Sequence, residues 1–100
     1  MNKIYRGDTF APLCTLKDKN RVPINLDNYT LEAEVHNIDF SFKVDVPCTA
    51  LDQTSEENVG IFTLGPLDTS TWPIGEVFLM ISRIKEGFKK SVKITYKVGI

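Results

Sequence analysis

Apolar and polar residues alternate with a period of two along most of the chain, the repeat of a strand with one buried face. In 29–36 the odd positions Tyr29, Leu31, Ala33 and Val35 are apolar, and Thr30, Glu32, Glu34 and His36 are polar. Across 40–50 the parity reverses, with Phe40, Phe42, Val44, Val46, Cys48 and Ala50 apolar and Ser41, Lys43, Asp45 and Thr49 between them. The pattern predicts two strands joined as a hairpin at 36–39, where Asn37 and Asp39 tolerate the backbone angles of a tight turn. Segment 75–84 is apolar on both parities in its middle, which marks a central strand. Segment 92–98 alternates Val92, Ile94, Tyr96 and Val98 with Lys93, Thr95 and Lys97. Gly87, inside the polar connection 85–88, predicts a second hairpin that leaves Phe88 free to fold back onto the core.

Two more strands are expected at 9–16, ending in the polar turn 17–21, and at 59–64. Asp68 is an N-cap residue lying between Pro66 and Pro73, which limits any helix there to one turn at 68–72. Segment 52–58 reads as a polar loop. Strands at regular spacing, punctuated by Gly, Pro, Asn and Asp, predict an all-β, antiparallel β-sandwich of about six to seven strands with a Greek-key crossing. One hundred residues suit one core, so 1–100 is read as a single domain.

Composition narrows the function classes. Twelve Lys and Arg against thirteen Asp and Glu leave a formal charge of -1, so no global field recruits nucleic acid or anionic lipid. No apolar run approaches the ~20 residues of a spanning helix, and the first six residues lead into a polar Gly-Asp pair instead of an apolar signal core. Neither membrane association nor secretion by a signal peptide is expected. Cys14 and Cys48 are read as reduced core thiols. His36 falls on the polar parity of its strand beside a turn and is expected to be solvated. Cys14, His36 and Cys48 stand singly, unlike the close pairs of a zinc site, and no Gly-rich phosphate loop or nucleophile elbow occurs. The expectation is a protein that is not an enzyme and takes no cofactor or metal.

Charge is nonetheless uneven along the chain. Residues 51–76 hold five acids and no base, while 83–97 hold six bases against Glu86 alone. Lys89, Lys93 and Lys97 share the outward parity, with successive ammonium groups about 13 Å apart. Such a row suits an acidic partner, and it equally keeps a strand soluble and discourages edge pairing. Nucleic acid is not expected, because Tyr96 has inward parity and no aromatic interleaves with the lysines. Trp72 is read as a plug closing one end of the core. Arg6-Gly7-Asp8 spells an integrin-binding tripeptide, a role that requires an extruded extracellular loop. The preferred reading is a bend permitted by Gly7, with Arg6 and Asp8 flanking the start of the first long strand.

Tyr5-Arg6-Gly7-Asp8-Thr9-Phe10, Leu16-Lys17-Asp18, Val22-Pro23-Ile24-Asn25-Leu26 and Tyr29-Thr30-Leu31-Glu32-Ala33 together resemble a known style of domain. So do Gly60-Ile61-Phe62-Thr63-Leu64 and the run from Asp68 through Trp72-Pro73-Ile74 to Gly75. The chain resembles the small immunoglobulin-like domains of tailed-phage and prophage structural proteins, including the N-terminal domains of upper baseplate proteins. The resemblance implies an immunoglobulin-like sandwich and a non-enzymatic virion-associated structural or assembly role, in the tail, baseplate or head-tail region. Its expected partners are other virion proteins or copies of itself in a homo-oligomer, located in the virion or the bacterial host cytoplasm. A small phage-encoded module that engages a host protein is the alternative. The residues expected at a partner contact are Arg6, Asp8, Lys89, Lys93 and Lys97.

Overall fold

The computed structural model describes residues 2–100, so Met1, part of the opening segment read for a signal, lies outside the described residues. The chain is mostly β. Its strands are β1 (Asn2–Tyr5), β2 (Thr9–Phe10), β3 (Leu13–Thr15), β4 (Thr30–His36) and β5 (Lys43–Val46). They continue with β6 (Cys48–Ala50), β7 (Ile61–Leu64), β8 (Leu67–Asp68), β9 (Gly75–Lys85) and β10 (Phe88–Gly99). A five-stranded sheet has the order β1-β10-β9-β4-β5, a three-stranded sheet the order β3-β7-β6, and β2 pairs with β8. Among the described residues no helix is long and apolar enough to cross a membrane.

The longest ladder joins β9 to β10, from Phe88 opposite Lys85 to Val98 opposite Gly75. Its turn is Glu86-Gly87, with φ of 52° and 82°, the paired positive angles of a two-residue hairpin loop. On the inner face Val77, Leu79 and Ile81 of β9 meet Val35 and Ala33 of β4 and Val98 of β10. Phe62 and Leu64 of β7 and Phe10 of β2 belong to the same core, so the sheets share one apolar interior. Trp72 is buried there, with its ring 5.4 Å from Phe10 and 5.7 Å from Phe42, which bears out its core role.

Several expectations are corrected. The segment 40–50 is not one strand: it bends at 40–42, and at Pro47 it passes from β5 in the large sheet to β6 in the small one. Proline lacks the N–H that a continuing ladder needs, which is why the break falls there. Ala11-Pro12 divides 9–16 into β2 and β3 in the same way. Residues 68–72 form no helical turn. Leu67–Asp68 is the strand β8, the Asp68 carboxylate accepts from the Ser70 N–H and hydroxyl, and Trp72 N–H donates to Thr69 O in a single turn. A short 3-10 turn lies instead at Glu56–Asn58, within the segment read as loop. The sheet is not wholly antiparallel either. β1 pairs with β10 in parallel, Asn2 opposite Tyr96 and Tyr5 opposite Gly99. Phe88 does not fold back and is 80% exposed.

Candidate functional site

The five expected contact residues do not form one site. Arg6 donates its N–H to Gly99 O at the far end of β10, whereas Lys89 lies ten residues back along the same strand, about 33 Å away. The Arg6-Gly7-Asp8 segment is a fixed turn. Gly7, with φ of 101°, donates its N–H to the hydroxyl of buried Thr69, and Asp8 N–H donates to Tyr5 O.

The lysine row does lie on the outer face of the five-stranded sheet, but each member has a neighbour. Lys89 approaches Glu32 at 3.7 Å, Lys93 stands 4.7 Å from the centre of the Phe78 ring, and Lys97 lies in register between Glu76 and Lys3. Both partners of the Lys89–Glu32 pair are more than half exposed, and such pairs contribute little. Beside them β4 and β5 border a polar hollow of about 540 Å³, where Lys43 meets Glu34 at 3.4 Å without hydrogen-bond geometry.

His36 is not solvated. Its ring stacks on Phe40 at 4.1 Å and 11° and leans on Phe78 at 5.7 Å, leaving it 8% exposed with Nδ1 unpartnered. The parity assignment was correct, since His36 does stand on the outer face opposite Phe78. The burial came from Phe40, which sits in the loop with φ of 59° and turns its ring back over the sheet.

Cys14 and Cys48 are free and half-buried against the core. They flank β7, Cys14 opposite Phe62 and Cys48 opposite Leu64. Two inter-strand steps of about 4.8 Å exceed disulfide reach. Burial pushes both thiols up from their ordinary value. Among the described residues no group of three or more His, Cys, Asp or Glu is placed to hold a metal ion.

The feature most suited to a partner lies along β10. Among the described residues β1 pairs with positions 96–99, and the side of β10 away from β9 has no ladder partner over residues 88–94. Next to this edge a cleft of about 490 Å³ opens between the large sheet and β3, with Leu16, Leu31, Phe62, Ile81 and Ile94 in its walls. Three cations, Lys17, Arg83 and Lys90, also line it. Among the described residues no carboxylate lies within ion-pair distance of these three. The sequence did carry a signal for two of them. Arg83 and Lys90 hold the inward parity of β9 and β10 and stand opposite each other in the ladder, so they break the apolar alternation at the strand ends.

No protein-family model matches this chain, and no curated protein matches it.

Proposed function

We propose that this chain is a non-catalytic contact module with an immunoglobulin-like sandwich fold. It acts as a virion-associated structural or assembly component of a tailed phage or prophage, through the edge of β10. The carrying observation is that edge: among the described residues, seven positions of a long strand, 88–94, have no partner on this side, and Lys89, Lys90 and Lys93 border them. Unpaired N–H and C=O groups in a row are a template for another chain, and proteins that do not use such an edge shorten it, cover it or line it with lysine against like-charged neighbours, a device that still admits an acidic strand. Here it is neither short nor covered. The motif resemblance to phage structural domains supports the virion setting, with other virion proteins or further copies of this chain as partners.

The test is mass spectrometry of purified particles from the source phage or induced prophage, with amine cross-linking before disruption. The expected result is this chain at fixed copy number, cross-linked to a neighbour through Lys89, Lys90 or Lys93. Absence from the particles overturns the virion role, and specific capture of a host protein in its place would make the chain a regulatory binder.

A further inference from the structure

The direction of the backbone groups along β10 follows from one hydrogen bond. Arg6 N–H donates to Gly99 O, and parallel pairing alternates, so the odd positions of β10 turn their N–H and C=O toward β1 and toward the uncovered edge beyond it. The free donors and acceptors therefore belong to Lys89, Ser91 and Lys93. Their side chains stand on the outer face, while Lys90, Val92 and Ile94 border the cleft. Phe88 and Val92, on the inner parity beside this edge, are 80% and 54% exposed.

We propose that this edge and the adjoining cleft together accept an extended segment of a partner protein in which apolar and acidic residues alternate. This rests on the contact-module reading and names the partner's chemistry. A strand added beside β10 would satisfy the Lys89, Ser91 and Lys93 backbone groups. Its alternate side chains then fall on two faces. One set enters the cleft against Leu31, Ile81, Val92 and Ile94, a space of the size that ordinary binding pockets offer. The other set lies over Lys89 and Lys93, where carboxylates complement the ammonium groups. Beside the cleft Lys17, Arg83 and Lys90 supply three further cations with no carboxylate within ion-pair distance among the described residues. The same charges argue against a second copy of β10 as the occupant, because pairing two such edges sets lysine against lysine.

The experiment titrates the intact chain with a blocked decapeptide alternating valine and aspartate. It follows amide hydrogen exchange and chemical shifts residue by residue. Comparison peptides carry lysine for aspartate, or N-methyl groups on alternate backbone nitrogens. Expected are saturable binding and new protection at the Lys89, Ser91 and Lys93 amides, with no binding by the lysine peptide and none by the N-methyl peptide whose blocked face meets β10. Lys90→Glu with Lys93→Glu should weaken the aspartate peptide about tenfold or more, a loss that high salt reproduces in the wild type. Folding of that variant is checked by its unchanged core chemical shifts, and the salt arm stands without it. Unchanged exchange at those amides, or equal binding of aspartate and lysine peptides, overturns the proposal. If cross-linked particles contain the chain while these amides stay unprotected, strand docking alone fails. If the peptide docks but particles lack the chain, the virion role alone fails.

Discussion

The hydroxyl of Thr69 donates to the carbonyl of Asp8 at 2.6 Å, across 61 positions of sequence. The same oxygen accepts from Gly7 N–H at 2.9 Å, and Thr69 is fully buried. One side chain therefore satisfies both polar groups of the turn by which the chain leaves β1 for β2. Thr69→Val keeps the shape and removes both bonds. It is expected to cost about 1–3 kcal/mol, because two part-buried hydrogen bonds are lost together. Thr69→Ser should retain most of the stability. Urea unfolding monitored by Trp72 fluorescence checks both, and equal stability of the valine variant and the wild type would remove this role.

Gln53 does comparable work for two loops, the β3–β4 and β6–β7 connections. Its Oε1 accepts from Leu26 N–H at 3.0 Å and Gly60 N–H at 2.9 Å, and its Nε2 donates to Leu51 O and Asn58 O. The amide thus makes its full set of four hydrogen bonds while buried. Gln53→Ala strands all four groups and should destabilise the fold by about 3 kcal/mol. Gln53→Glu keeps the acceptor but loses the donors, and its charge faces two carbonyl oxygens. Burial against those oxygens favours the protonated acid, so this variant's deficit should shrink as pH falls through the carboxyl range. Denaturant midpoints at neutral and acid pH would show it, and a deficit independent of pH would contradict the assigned contacts.

These two staples show where sequence reading stops. Period two is local, so the long strands β4, β9 and β10 and the turn at Glu86-Gly87 were legible, and parity correctly placed Lys89, Lys93 and His36 on the outer face. Which face is covered depends on partners remote in sequence or in a loop. Phe40 covers His36 from a loop, and β1 is four residues whose partner lies some ninety positions away. Pro47 was the visible mark of the crossing between sheets, but alternation runs through it unbroken, and pattern alone joined β5 to β6. Gln53 and Thr69 look like ordinary loop polars because their burial is created by segments that only the fold brings to them. The cleft cations lay in plain sight as parity breaks at Arg83 and Lys90, yet their meaning needed the vacant edge beside them.

Gly60 and Gly7 separate backbone strain from steric exclusion. Both have positive φ, 82° and 101°. A Cβ at Gly7 would meet nothing within 4 Å, whereas one at Gly60 would lie 2.6 Å from Leu16 O. That carbonyl is not free to move, since it accepts from Ile24 N–H at 3.0 Å while Leu16 N–H donates to Gly60 O at 2.7 Å. Gly7→Ala should therefore cost only the conformational penalty of about 1–2 kcal/mol. Gly60→Ala should cost clearly more, because it also breaks the Leu16 connection. Thermal unfolding of the two variants side by side decides the order, and a smaller loss at Gly60 would refute the close approach.

Stability should fall on the alkaline side. Burial raises Cys14, Cys48 and Tyr96 above their ordinary values, with the neighbouring Cys14 thiolate adding to the shift at Cys48 and Tyr96. For each group the folded state holds its proton more tightly than the unfolded chain does. Their contribution is therefore complete below the unfolded value and is lost as pH rises through the folded one. The unfolding midpoint should hold steady at neutral pH and drop once the ordinary thiol value of 9.0 is passed. Cys14→Ala with Cys48→Ala should flatten the first part of that decline and leave the part due to Tyr96, whose ordinary value is 10.0. The same raised values keep the thiols protonated near neutrality, so alkylation by iodoacetamide should be slower than for glutathione and should accelerate in denaturant. Rapid modification of both cysteines in the folded protein at neutral pH would show that neither thiol is held in the core.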